Sequence, residues 1–231
     1  MKHNQPGFTL IEIAIVLVII GLLLGGVLKG QELINSAKVK NLAGDFKNIP
    51  VFIYGYQDKF KALPGDQTQA ALDTQFPPAN TATAATAAAT LANGVINGNW
   101  NDTAATSESY VFWQHVRLAG FAPGPVNTAD SSYLPTNATG GAIGIQSGTT
   151  DITKTPINAT AGANPIRGSH VICSAGILGK FVRQLDTAMD DGATNTGSMM
   201  AGMATAAGTP MTAVASNAVD DATAYTVCMG I

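Results

Sequence analysis

The sequence predicts an α+β fold, in which one long N-terminal helix is followed by a head of short helices and strands. Three observations support this prediction: an almost unbroken apolar run over residues 8–28, an apolar stripe at helical spacing after it, and short β-branched segments towards the C-terminus. The chain has 231 residues, of which 46% are hydrophobic, so the part beyond the apolar run is long enough for one medium-sized domain. Lys and Arg total 12 against 15 Asp and Glu, which makes nucleic acid unlikely as a main partner.

The apolar run predicts a single transmembrane helix. Residues 8–28 are 21 positions, which at about 1.5 Å rise each span a hydrocarbon core roughly 30 Å thick. The weakly basic start is also typical of a secretory signal peptide, but no A-x-A pattern of small residues follows the run. We therefore expect the helix to be retained. The residues after Lys29 are too polar for a second span.

Four glycines lie in or directly after this run, at Gly21, Gly25, Gly26 and Gly30. They include two pairs with small-x-x-x-small spacing, which allows close helix packing in membranes. Two interpretations stay open. The glycines are either ordinary for a membrane helix, or they mark close packing or a stretch that extends when the helix leaves the bilayer.

An apolar stripe extends the helix beyond the membrane segment. Large apolar residues recur at steps of four and three, which is the spacing of one helix face. They are Leu42, Phe46, Ile49, Ile53, Tyr56 and Phe60. The turn sequence Leu63-Pro64-Gly65-Asp66 ends the pattern. We therefore expect one helix over residues 8–62 and a globular head over residues 63–231.

The head contains signals for two short helices and two strands. Helical spacing of apolar residues predicts helices over residues 108–119 and 177–189, each closed by a glycine. Short segments rich in β-branched residues predict strands over residues 169–174 and 224–229. The Ala/Thr block at residues 80–93 and the Gly/Thr/Asn stretch at residues 123–165 are expected to form long loops or weak edge strands, because they offer few side chains to pack.

The string Gly7-Phe8-Thr9-Leu10-Ile11-Glu12, after a short polar leader and before an apolar run, resembles the start of type IV pilins and of the pseudopilins of type II secretion. The resemblance implies that a prepilin peptidase cuts after Gly7, removes residues 1–7 as a leader, and methylates the new amine at Phe8. It further implies that the retained helix packs into the core of a helical filament. Glu12 matches the acidic residue that, in this family, pairs with the terminal amine of a neighbouring subunit.

Physical chemistry supports a function for Glu12 independently of the resemblance. A carboxylate at the centre of a membrane helix costs about 2.5–3.5 kcal/mol on insertion scales, and less near the interface. A cationic partner would offset that cost. The candidate is the amine created at Phe8, four residues away on the same helix or on another subunit. The alternative is a glutamate at headgroup level whose side chain reaches water.

The resemblance also implies a head built of an antiparallel sheet packed on the second half of the long helix, with variable loops on either side. Four further segments look like those of a large group of pilin-like sequences, namely Lys38-Val39-Lys40-Asn41, Leu63-Pro64-Gly65-Asp66, Phe112-Trp113-Gln114-His115 and Met189-Asp190-Asp191-Gly192. Lys29 and Gly30 stand where many pilins have a helix-bending proline.

The two cysteines lie one in each predicted strand, at Cys173 and Cys228. In a protein exported to an oxidising compartment, such a pair is most simply a disulfide. Two buried free thiols are the alternative. No C-x-x-C motif is present, which argues against redox catalysis.

Residues 190–197 gather acidic and amide oxygens between two glycines, with Asp190, Asp191 and Asn195 as candidate calcium ligands. Some pseudopilins bind calcium in a loop of the C-terminal half. This loop does not match the twelve-residue helix-loop-helix calcium template. The alternative, which we favour, is a helix end where Asp and Asn side chains stabilise a turn.

No catalytic pattern is found in the sequence. His115 and His170 have no Cys, Asp or Glu at ligand or triad spacing, and we expect His115 to be a partly buried ring on a helix face. We therefore expect no enzyme and no cofactor, with calcium as the one candidate ligand. The sequence favours a structural subunit of a type IV pilus-like filament. The alternatives are a type II secretion pseudopilin and a monomeric membrane-tethered binding protein.

The expected partners follow from the resemblance. They are identical or related pilin subunits, the prepilin peptidase, the inner-membrane assembly machinery, and membrane lipid before assembly. The expected location is a single-pass inner-membrane protein before assembly, and an extracellular or periplasmic filament afterwards.

Overall fold

A computed structural model of the chain describes residues 9–77, 81–86 and 91–231. The predicted leader over residues 1–7 and the predicted new N-terminus at Phe8 lie outside the described residues. Contacts divide the chain into two units, Met1–Lys38 and Val39–Ile231, which are considered separately. Residues 39–60 of the long helix therefore group with the head.

The N-terminal helix α1 runs over Leu10–Phe60 and continues through Pro50. In the first unit, no described residue of this helix is buried. The helix contains a segment long and apolar enough to cross a membrane, with a mean hydropathy of 2.8. This agrees with the transmembrane segment predicted from the sequence.

In the second unit, the rest of α1 is amphipathic as predicted. Five residues of the predicted stripe are buried, and Phe60 is partly buried. The buried five are Leu42, Phe46, Ile49, Ile53 and Tyr56. This face packs against the head because it carries the large apolar side chains of the helix.

The head combines three short helices with two sheets. The helices are α2 (Gln69–Gln75), α3 (Glu108–Leu118) and α4 (Gly179–Met189). The strands are β1 (Ile143–Ser147), β2 (Ile157–Thr160), β3 (Ala163–Pro165), β4 (His170–Leu178), β5 (Met199–Gly202), β6 (Met211–Thr212) and β7 (Ala224–Gly230). A 3-10 turn, Ser216–Ala218, precedes β7.

The main sheet has the order β1-β4-β7-β5, and each neighbouring pair is antiparallel. This confirms the α+β class with an antiparallel head. A smaller sheet has the order β3-β2-β6, in which β2 and β6 are parallel. The main hydrophobic core contains the stripe of α1 with residues of α3, α4 and the main sheet. A second cluster joins residues of both sheets.

The structure shifts several boundaries and adds elements to the sequence prediction. The long helix predicted over residues 8–62 ends at Phe60, and the helix predicted over residues 108–119 ends at Leu118. The helix predicted over residues 177–189 begins at Gly179, because Ile177 and Leu178 extend β4 and pair with Tyr225 and Ala224 of β7. The stretch expected to form loops or edge strands contains β1, an edge strand whose Ile143 and Ile145 are buried. The helix α2 and the strand β5 were not predicted.

Candidate functional site

The start of α1 is capped by a reciprocal pair of side chains, Thr9 and Glu12. The Thr9 hydroxyl accepts a hydrogen bond from the backbone N–H of Glu12 over 3.3 Å. In return, Oε2 of Glu12 accepts bonds from the N–H and the hydroxyl of Thr9, over 2.8 and 2.7 Å. This is a capping box, and its T-x-x-E signature stands in the sequence at residues 9–12.

Capping leaves Glu12 able to accept further hydrogen bonds. Both bonds from Thr9 end on Oε2, and a carboxylate offers about four lone-pair sites in total. The candidate processing residues Gly7 and Phe8 lie outside the described residues, so pairing between Glu12 and the amine at Phe8 stays a prediction.

The apolar side chains of α1 up to Leu28 are exposed in the first unit, from 46% at Ile20 to 89% at Leu10. At Gly21, Gly25 and Gly26, an added Cβ would meet no atom within 4 Å. These glycines are therefore not required by contacts within the described part of the chain. A surface of this composition needs lipid or other apolar helices around it.

The predicted disulfide is confirmed. Cys173 and Cys228 face each other on β4 and β7 and are joined by a disulfide across a sequence separation of 55 residues. Both cysteines are fully buried in the cluster between the two sheets. The bond therefore ties the last strand of the chain to the centre of the head.

The candidate calcium ligands lie in a loop that uses their oxygens internally. Asp190 Oδ2 accepts a hydrogen bond from the N–H of Met199 over 2.8 Å. Asp191 accepts bonds from the N–H of Ala193 and the hydroxyl of Thr196, both over 2.8 Å. Within the described ranges, no three His, Cys, Asp or Glu side chains are grouped as a metal site. The loop bonds agree with the turn interpretation, and calcium binding stays a prediction.

A buried carboxylate, Asp186 on α4, lies beside this loop and was missed by the sequence analysis. Its exposed fraction is 1%, and neither oxygen has a hydrogen bond of normal geometry in the described part of the chain. Burial, together with the charges of Asp191 and Asp190, raises its pKa to about 6, although the backbone N–H groups of Gly192 and Ala193 offset part of the rise. Helical periodicity in the sequence does not indicate that Asp186 is buried, because its burial depends on the packing of the loop over α4.

The segments at residues 63–66 and 112–115 meet in the structure. Gly65, in the turn after α1, donates its N–H to Nδ1 of His115 on α3 over 2.9 Å. Gly65 has φ +95°, and an added Cβ would lie 2.5 Å from the carbonyl oxygen of Glu108, so only glycine fits this turn. His115 is fully buried rather than partly buried as expected, because the turn and the loop at Thr83 cover it.

The comparisons with known proteins give one match. Residues 2–28 match the prokaryotic N-terminal methylation motif. No curated protein and no solved structure matches the chain. The match and the exposed apolar helix fit a precursor anchored in the inner membrane.

Proposed function

We propose that this chain, whose residues 2–28 carry the signature of type IV pilins and pseudopilins, is a structural subunit of a type IV pilus-like filament. The motif supports processing by a prepilin peptidase and assembly with pilin subunits. Cleavage follows Gly7 and exposes an amine at Phe8. The filament forms when the N-terminal helices leave the bilayer and pack against one another.

One observation carries this proposal: the apolar side chains of α1 up to Leu28 have no partner in the described part of the first unit. Moving this surface out of lipid is favourable only if another apolar surface covers it, since apolar burial is worth about 25 cal/mol per Å². Helices of the same sequence provide that surface in a filament. The glycines at Gly21 and Gly25 leave room for close approach, because no atom of the described chain fills the space beside them.

Glu12 sets the register of the subunits in this proposal. Its carboxylate lies in the first turn of α1 and caps that helix through Thr9. The amine of a neighbouring Phe8 adds a charged donor to the same carboxylate and offsets the cost of a carboxylate in an apolar environment. A buried polar pair of this kind fixes the axial position of helices, as it does in coiled coils.

The second candidate function is a pseudopilin of a type II secretion system. The methylation motif supports it equally, since pilins and pseudopilins share that signature. The two functions differ in what a gene deletion removes. Loss of a pilus subunit removes surface filaments, whereas loss of a pseudopilin stops protein release into the medium. A monomeric membrane-tethered binding protein is the third candidate, and it requires neither cleavage nor Glu12.

The first test is intact mass and N-terminal sequencing of the chain from sheared surface material and from membranes. A sheared chain that begins at methylated Phe8 supports the filament subunit. A chain that begins at Met1 and stays in the membrane contradicts both cleavage and assembly. A processed chain that is absent from sheared material, in cells that lose secretion on deletion, favours the pseudopilin.

Two variants separate capping from assembly. Glu12→Ala removes both the cap and the proposed pair, and we expect sheared filaments to disappear while the precursor still inserts and is cleaved. Thr9→Val removes the hydroxyl that caps the helix and costs about 1 kcal/mol of helix stability, but it leaves the carboxylate in place. We expect filaments from Thr9→Val. If both variants assemble, Glu12 has no role in assembly.

A further inference from the structure

Outside the core of the second unit, one carboxylate has neither a hydrogen bond nor an ion pair in the described part of the chain. It is Asp45 on α1, which is half-buried. Every other described Asp or Glu from residue 39 onward accepts a hydrogen bond or pairs with a basic side chain, apart from the fully buried Asp186. Asp45 is therefore an unmatched negative charge at the surface of the head.

Asp45 lines a cleft of about 220 Å³ between α1, α3 and the loops that precede β1. The walls are mostly apolar and include Phe52, Trp113 and Pro135. Arg117 also lines the cleft, but its guanidinium donates hydrogen bonds to the carbonyls of Pro123, Pro125 and Tyr133 and makes no ion pair with Asp45. Burial in this cleft raises the pKa of Asp45.

The same unit carries three exposed cations with no hydrogen bond or ion pair in the described part of the chain. They are Lys40, Lys47 and Arg167. The other basic side chains of this unit are engaged: Lys59 with a backbone carbonyl, Lys61, Lys154 and Arg183 with carboxylates, Arg117 with three carbonyls, and Lys180 with an aromatic ring. Apart from the buried Asp186, the unmatched charges in the described part of the head are thus one carboxylate in a cleft and three cations on the outer surface.

We propose that the cleft around Asp45 receives the side chain of Lys40, Lys47 or Arg167 from a second copy of this chain. The cation pairs with a carboxylate that is already partly desolvated, which reduces the cost of forming the pair. Its aliphatic stem covers the apolar walls, and the ring of Phe52 favours a cation beside it. The ring of Trp113 already has the guanidinium of Arg117 over it, 5.9 Å from the ring centroid.

The proposed contact joins two different surfaces, a cleft on one copy and a cation on the next. In such a heterologous contact, each copy keeps a free cleft or a free cation for a further copy. The contact therefore builds an open helical assembly when the rotation between successive copies does not close a ring. It adds a contact between heads to the contact between N-terminal helices. The inference rests on the proposed filament function, which supplies the second copy.

The test compares sheared filaments from cells that make equal amounts of processed chain. We expect Asp45→Lys to reduce filaments at least about tenfold, because two cations then meet at the cleft, and Asp45→Asn to reduce them severalfold. The matched control is Asp58→Lys, which reverses a charge on an exposed residue of the same helix whose partner is Lys61 of its own chain. This control should assemble within about twofold of the wild type.

Paired charge reversals identify which of the three cations pairs with Asp45. Asp45→Lys is combined in turn with Lys40→Asp, Lys47→Asp and Arg167→Asp, and one combination should restore filaments. Thermal unfolding of each purified full chain in detergent confirms that the head folds. The inference is overturned if Asp45→Lys and Asp45→Asn assemble like the wild type, or if no combination restores assembly.

A second measurement separates this inference from the proposed function. If the wild-type chain forms no filaments, the filament function fails. The cleft is then tested in detergent with a carbodiimide, which joins a carboxylate to an amine, on a mixture of isotope-labelled and unlabelled chains that carry Arg167→Lys. A cross-link between Asp45 and residue 40, 47 or 167 of a different copy supports the contact, and its absence overturns it.

Discussion

Nδ1 of His115 accepts a hydrogen bond from the backbone N–H of Gly65 over 2.9 Å, and the same ring lies 3.0 Å through Nε2 from the carbonyl of Thr83. Because Nδ1 accepts, Nε2 carries the proton and donates to Thr83, and the imidazole is neutral. The ring therefore links α3 to the turn after α1 and to the loop at Thr83. Burial lowers its pKa to about 4 from an ordinary value of 6.5.

His115 makes the head sensitive to acid. Between pH 6.5 and about 4 the unfolded chain binds a proton that the folded chain does not, so the free energy of unfolding falls as pH falls through this window. The loss reaches about 3 kcal/mol. We expect His115→Gln to remove this dependence in denaturant titrations of the full chain in detergent. His170→Gln, at the other histidine of the head, is the control and should keep most of it. Equal pH dependence in wild type and His115→Gln would contradict the assignment.

Asp186 affects the pH dependence of the free energy of unfolding in the opposite direction to His115. Its folded pKa of about 6 lies above the ordinary value of 3.8, so the folded state holds the proton more tightly and stability falls as pH rises through about 6. Asp186→Asn removes the uncompensated buried charge. We expect it to raise the free energy of unfolding by about 2 kcal/mol at pH 7.5 and to change little at pH 4.5.

The control for Asp186 is Asp191→Asn in the same loop. Its exposed carboxylate accepts bonds from Ala193 and Thr196, so this variant should be neutral or mildly destabilised. Stabilisation by both variants would mean that the net negative charge of the loop, and not the burial of Asp186, is responsible.

The disulfide should contribute substantially to the stability of the head. In the chain-entropy model, a cross-link across a separation of 55 residues contributes about 4 kcal/mol. We expect Cys173→Ala combined with Cys228→Ala to lower the free energy of unfolding by about that amount. The wild type in reducing agent should approach the same value slowly, because both sulfurs are buried. A double variant as stable as the oxidised wild type would show that native packing alone holds the last strand.

The glycines of the apolar helix should affect packing between chains in the filament and not the folding of a single chain. Gly25→Leu meets no atom of the described chain, so we expect the precursor to insert and the head to unfold as in the wild type. If helices approach closely in the filament, sheared filaments should fall at least about fivefold. Val27→Leu, at an exposed position of the same helix, is the control and should assemble normally. Normal assembly by Gly25→Leu would favour the ordinary-glycine interpretation.

The features that depend on local pattern could be predicted from the sequence. The run over residues 8–28 is almost continuously apolar, which predicts a membrane helix. The stripe from Leu42 to Tyr56 and the helix α3 are periodic, and periodicity reports directly which face is apolar. The motif at residues 2–28 is likewise a local string. The disulfide could be predicted because the chain has two cysteines in total, which leaves one pairing.

Tertiary structure alone decided the features that depend on distant residues. Strand β1 lies in a stretch rich in Gly, Thr and Asn, and it forms because β4 offers a partner for its backbone. The burial of His115 depends on a turn 50 residues earlier, and that of Asp186 on the loop that covers α4. The unmatched charge of Asp45 became visible only when every other described carboxylate of the head, apart from that of Asp186, could be assigned a partner. Local pattern sets which surfaces are apolar, whereas packing decides which polar groups lose water and therefore need partners.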